Sequence, residues 1–185
     1  MLRKALSVLW AFTVLGLSGC MFFPSESLYS GGFAWVGDDL YLYAPMCEGE
    51  ELTGIDLHGV KNDPEDLRSI ERVDLWAVRG PLATTVSDGW VVLGDDSAFA
   101  DVVLNGTDPN GWPEIVGILV THQDAGEEFR SELTLDKGKD LPRYSAGSDP
   151  LTIEYYFDGP GTERGGERLT PAQIRDQMGC AKQYF

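Results

Sequence analysis

Residues 127–136 read EEFRSELTLD, and the order of residue types in this stretch decides the fold class. Phe129, Leu133 and Leu135 fall on one face of an extended chain, and Glu128, Arg130, Glu132 and Thr134 fall on the other. Side chains alternate along a strand with a period of two, so this is the pattern of a strand with one face on a core and the other in water. LTIEYYFD (Leu151 to Asp158) repeats it, setting Leu151, Ile153, Tyr155 and Phe157 against Thr152, Glu154, Tyr156 and Asp158. Both are expected to be antiparallel strands with one wet face.

Outward from these two, further short segments rich in β-branched and aromatic residues are expected to be strands. They are FAWV (Phe33 to Val36), LYLYAP (Leu40 to Pro45), LTGIDLH (Leu52 to His58), ERVDLWAV (Glu71 to Val78), WVVL (Trp90 to Leu93), ADVVL (Ala100 to Leu104) and IVGILVTH (Ile115 to His122). Turn chemistry separates them: GDD at Gly37 to Asp39 and again at Gly94 to Asp96, DPNG at Asp108 to Gly111, and DAG at Asp124 to Gly126. About nine short strands spaced by turns imply a mostly β protein. The expected architecture is an antiparallel β-sandwich of immunoglobulin-like or fibronectin-like build, with a small barrel as the alternative.

Helix is expected in two places. NDPEDLRSI offers one peripheral turn, with Asp63 as N-cap and Pro64 at the first helical position. The second is a short helix near the C-terminus, Pro171 to Met178, where Thr170 and Gln173 form a capping-box pair and Gly179 is a fitting stop. DGPGTERGGE (Asp158 to Glu167) combines glycine, proline and mixed charge, and is expected to be the most mobile segment.

The 185 residues are 43% hydrophobic and 24% charged, which excludes a collagen-like or wholly disordered chain and is ample for one compact domain. With 30 acidic against 14 basic side chains, the formal charge of −16 leaves no electrostatic footprint for nucleic acid, so no nucleic-acid partner is expected.

The chain opens MLRKALSVLWAFTVLGLSGC: Arg3 and Lys4, then an uncharged run from Ala5 to Leu17, then small residues. This is the layout of a secretory signal, and the run is shorter than the roughly 20 apolar residues that a spanning helix requires. Leu17-Ser18-Gly19-Cys20 resembles the lipobox of bacterial lipoproteins. The resemblance implies that residues 1–19 are a signal peptide cut before Cys20. It also implies that the Cys20 thiol carries a diacylglyceryl group and that the chain is held at the cell membrane facing the extracytoplasmic side. Two or more acyl chains hold a protein firmly at a bilayer surface, at about 0.8 kcal/mol per buried methylene. Residues 20–32 would then be a lipidated tether and residues 33–185 the sandwich domain. Without residues 1–19 the basic count falls to 12 and the charge becomes −18, so anionic head groups repel the domain. In acidity and expected shape the mature part is similar to lipoproteins of actinobacteria, a general likeness that carries no functional residue beyond Cys20.

Once the resemblance assigns Cys20 to lipid, Cys47 and Cys180 remain as an even pair in an oxidising compartment, and a disulfide between them is expected. The alternatives are two buried free thiols, or a metal pair, which would lack the CxxC-type spacing of a zinc site.

Motifs for catalysis are missing: there is no GxSxG, HExxH, GxxxxGK[ST] or GxGxxG. The two histidines, His58 and His122, each close an expected strand far from the other, and are read as surface or locally hydrogen-bonded groups. Asp38-Asp39, Asp95-Asp96 and the Asp108 to Asn110 loop offer oxygen atoms for a loose calcium site. The EF-hand template fails, because Gly106 and Gly117 fall where its first and last carboxylates belong. Trp76 is out of phase with Val73, Leu75 and Ala77, and Trp112 follows a turn, so either is a candidate for exposure and ligand stacking, with core packing as the default. The expectation is a binding or envelope-interaction module with an unspecified protein or envelope partner, no catalytic residue, no metal site and no cofactor. The alternative is an ion-binding protein or enzyme using the acidic turns.

Overall fold

The computed structural model describes residues 31–62, 70–106, 108–157 and 166–177. The expected signal, the tether up to Ser30, the helical turn at Asp63 and Pro64, Asp158 to Gly165, Met178 and Cys180 lie outside them. In chain order the strands are β1 (Gly32–Val36), β2 (Asp39–Tyr43), β3 (Glu51–Asn62), β4 (Ile70–Pro81), β5 (Trp90–Val92), β6 (Phe99–Leu104), β7 (Ile115–Asp124), β8 (Glu127–Asp136), β9 (Arg143–Tyr144), β10 (Tyr155–Phe157) and β11 (Glu167–Leu169). Among the described residues two short α-helices accompany them, α1 (Thr84–Ser87) and α2 (Pro171–Gln177).

The strands form two sheets, in the orders β11-β10-β1-β2-β5 and β6-β4-β3-β7-β8. Every pairing is antiparallel except that of β9, which lies parallel to the second half of β1. The expected sandwich is present. One core lies between the sheets, joining Phe33, Trp35, Leu40 and Leu42 of the first to Ile55, Leu57, Trp76, Val78, Ile118, Val120 and Leu135 of the second. A second core covers the opposite face of the first sheet, where Ala34, Val36, Tyr43, Tyr155 and Phe157 meet Ile153, Leu169 and Ile174 of α2.

That second core explains a correction. The half-wet strand expected over Leu151 to Asp158 is strand only at Tyr155–Phe157, and all three of those residues are buried. Leu151 and Thr152 form a turn instead, with the Thr152 N–H donating to the Asp149 carbonyl. β1 is buried along its whole length for the same reason, because its alternate side chains enter two different cores.

β8 spans the ten residues expected, whereas β3 and β4 run beyond their expected ends. β1 begins at Gly32, inside the stretch expected to be tether, and Glu167 opens β11, a strand not expected there. The capping box at α2 is formed as read: the Thr170 N–H donates to Gln173 Oε1 at 2.9 Å, and the Gln173 N–H to Thr170 Oγ1 at 3.4 Å.

In β4 a register shift against β3 makes Leu75 an extra residue, since Leu57 pairs with Trp76 and His58 with Asp74. The phase inverts there, so Trp76 and Val78 point inward although Val73 and Leu75 set the opposite alternation. Trp76 is therefore fully buried and Trp112 is 5% exposed, and neither is a surface stacking residue.

The β7–β8 turn holds Ala125 at φ 48° and Gly126 at φ 89°, both in the left-handed region that a two-residue hairpin loop needs. Alanine sits there at a cost that asparagine largely avoids. Ala125→Asn is expected to raise stability by about 0.5–1 kcal/mol, read as a higher urea midpoint at unchanged slope. An unchanged or lower midpoint would count against this reading of the turn.

Candidate functional site

The loop between β2 and β3 closes on itself. The Glu50 N–H donates to the Cys47 carbonyl at 3.0 Å, and the Glu50 carboxylate folds back to accept the Cys47 N–H at 2.9 Å. Gly49, at φ 89°, provides the reversal. Beneath this loop lies His122 of β7, whose Nδ1 stands 3.7 Å from Glu50 Oε2 and whose Nε2 stands 3.4 Å from the Ser131 hydroxyl of β8. Phe129 stacks on the imidazole with ring centroids 5.7 Å apart. Burial holds the His122 pKa below the ordinary histidine value, against an upward pull from the Glu50 and Asp124 carboxylates.

Neither histidine lies at the surface, and His122 has the local hydrogen-bond partner that was the other expectation, Ser131. His122 is 4% exposed on the core face, in phase with Val116, Ile118 and Val120. His58 lies within β3 rather than closing it, and is buried on the outer face of the second sheet. It rests over Gly117, where an added Cβ would strike the ring, and meets Glu132 at 3.4 Å. Glu132 in turn accepts from Arg72 at 3.2 Å. By strand register His58 pairs with Gly117 and Leu52 with His122, which separates the two rings by about 16 Å of strand and prevents a joint site.

Carboxylate, imidazole and hydroxyl stand here in the order of an acyl-transfer relay. Ser131 and His122 are nonetheless each only 4% exposed, inside the end of the sandwich, so the hydroxyl does not face a substrate. What the group does is bring the carboxylate of the loop against the imidazole of the sheet.

Glu50 also belongs to a depression of about 580 Å³ at this end, lined by Met46, Cys47, Asp88, Trp90 and Arg175 among others. Cys47 is disulfide-bonded. Arg175 of α2 reaches Tyr43 Oη at 3.1 Å, and Trp90 stacks on the same tyrosine at 4.5 Å. Burial raises the Tyr43 pKa, and the Arg175 hydrogen bond draws it partly back. Among the described residues the buried Trp90 Nε1–H meets no acceptor.

No family model matches the chain, and no curated protein or solved structure is significantly similar to it.

The acidic turns converge more than their spacing suggested. Asp38, Asp39, Asp95 and Asp108 line one depression of about 540 Å³. Two of the four, Asp95 and Asp108, already use one oxygen atom each within their own turns. Asp95 Oδ1 accepts from the N–H and hydroxyl of Ser97 at 2.9 and 2.7 Å, and Asp108 Oδ1 from the N–H and Nδ2 of Asn110 at 2.8 and 2.9 Å. Asp96 turns inward, accepting from Trp76 Nε1 at 2.8 Å and from the Gly106 N–H at 3.0 Å. The carbonyls of Pro109 and Trp112 converge on the chain's own ammonium, Lys137 Nζ, at 2.6 and 3.0 Å. Among the described residues no three His, Cys, Asp or Glu side chains come together as metal ligands.

Of the residues singled out in the sequence, Cys47 and His122 therefore reach a structured site, and Cys20 and Cys180 lie outside the described residues. Glu50, Trp90, Ser131 and Arg175 were missed. Phase was the available signal for Ser131, which alternates with Leu133 and Leu135, and for the burial of His122, which alternates with Ile118 and Val120.

Proposed function

We propose that the chain is a lipid-anchored extracytoplasmic binding module. It is attached to the cell membrane through Cys20, and it offers the open end of the sandwich to a protein or other envelope partner. The observation that carries this reading is the oxidised state of Cys47. Disulfides persist in oxidising compartments, and that is the side of the membrane to which a signal ending in Leu17-Ser18-Gly19-Cys20 would deliver the chain. The depression around Trp90 and Arg175 supports binding, because it places an aromatic side chain and a cation in one concavity. The deep burial of Ser131 and His122 supports binding over catalysis. The charge of −18 repels anionic lipid, which favours holding the domain away from the bilayer and within reach of a partner.

Mass spectrometry of chain extracted from membranes tests the anchor. The expected mass is that of a chain beginning at Cys20 and carrying fatty acyl groups. An unmodified chain beginning at Met1 would overturn the proposal.

A further inference from the structure

We infer that His122 makes the Cys47–Glu50 loop acid-responsive, so that protonating the buried imidazole releases the loop from β7. The geometry is that of a latch. His122 is held between Glu50 Oε2 at 3.7 Å and Ser131 Oγ at 3.4 Å, and the same Glu50 oxygen accepts the Cys47 N–H at 2.9 Å. One carboxylate oxygen thus serves both the loop's internal closure and its contact with the sheet.

Among the described residues the charged groups that act on the ring are Glu50 from the loop and Asp124 from β7 itself. The neighbouring strands present neutral groups: Phe129 and Ser131 from β8, and Leu52 from β3. The two carboxylates favour the imidazolium, but burial outweighs them and keeps its pKa below the ordinary value. A state with the loop lifted and the ring in water therefore binds the proton more tightly than the closed state. The closed loop has its full stability above the ordinary histidine pKa of about 6.5. It loses stability as pH falls below that value, and the loss levels off below the depressed pKa of the closed state. A single proton changes the open fraction by at most about tenfold per pH unit. Glu50 also lines the depression with Met46, Trp90 and Arg175, so acid reshapes the rim of that concavity. The inference depends on neither the lipid anchor nor the binding reading.

Amide hydrogen exchange of the full chain in detergent micelles, followed by NMR between pH 7.5 and 5, tests it. The probes are the Cys47 and Glu50 amides, held by Glu50 Oε2 and the Cys47 carbonyl. After correction for intrinsic exchange, their protection is expected to fall about threefold to tenfold per pH unit below 6.5, while the amides of Ile118 and Val120 keep theirs. In His122→Asn the fall should vanish. Flat protection in the unmodified chain, an equal slope in His122→Asn, or a parallel loss at Ile118 and Val120 would each overturn the latch. Should His122→Asn fail to fold, Glu50→Gln provides the second route, since it keeps an acceptor for the Cys47 N–H but removes the charge. It should lower the midpoint of His122 ring titration and, with it, the pH at which the loss of loop protection levels off, while the onset stays at about 6.5. A ring midpoint that falls without the levelling-off point following it would overturn the inference.

Discussion

Replacing Trp76 by alanine is expected to remove about 3–5 kcal/mol of stability, the range for emptying a large aromatic site in a packed core. The indole is fully buried between the sheets and meets Phe99 edge-on, with ring centroids 5.7 Å apart at 82°. Its second contribution is polar. Trp76 Nε1 donates to Asp96 Oδ1 at 2.8 Å, so the ring end that cannot be apolar is satisfied by a carboxylate from the turn between β5 and β6. Trp76→Phe separates the two contributions, because it keeps most of the buried ring and removes the donor. That change is expected to cost about 1.5–3 kcal/mol, the span for hydrogen bonds to charged groups. Asp96 keeps the Gly106 N–H, which limits the loss. Urea denaturation of both variants checks the order. An alanine variant within 1 kcal/mol of the parent would mean that Trp76 is not the keystone its burial indicates.

Trp76 also marks where the sequence stopped being readable. Alternation identifies strands wherever the register is regular, and β8 emerged with both ends correct because its ladder with β7 runs unbroken from Glu127 to Asp136. β4 defeats the same rule through a bulge: one extra residue at Leu75 turns Trp76 from the outer face that strict alternation gives it to the core, where default packing of an aromatic residue placed it. The first sheet hid a different fact. Two-sided burial of β1 and β10 comes from Ile153, Leu169 and Ile174, which lie far along the chain from β1, and no local pattern announces a distant cover. β9 has two residues and no periodicity to detect. For the site, the loop residue Glu50 carried no signal, since a carboxylate in an acidic chain is unremarkable until a fold places it against a buried imidazole. Ser131 and His122 did carry one, because a polar residue in phase with core positions must be either exposed by a strand end or satisfied inside. Both are satisfied inside, His122 by the local hydrogen bond that was one of its two readings.

Removing the disulfide at Cys47 is the second change expected to be large. Cys47→Ser should lose about 2–4 kcal/mol under non-reducing conditions, the usual return from a bond that closes a long loop. Position argues for Cys180 as the partner: Arg175 of α2 and Cys47 line the same depression, and Cys180 follows the last residue of α2 by three positions. The bond would then secure α2, which otherwise rests on the first sheet through Ile174 and the Arg175 contact with Tyr43. Thermodynamics can identify the pair without locating it. If Cys47 and Cys180 form one bond, Cys180→Ser should match Cys47→Ser, and the double variant should be no worse than either, because each removes the same cross-link. Cys20→Ser should leave stability unchanged while releasing the chain from the membrane. The reverse pattern, with Cys20→Ser as costly as Cys47→Ser and Cys180→Ser silent, would pair Cys20 with Cys47. A cysteine cannot carry both a thioether lipid and a disulfide, so that single result would remove the anchor and the proposed pairing together.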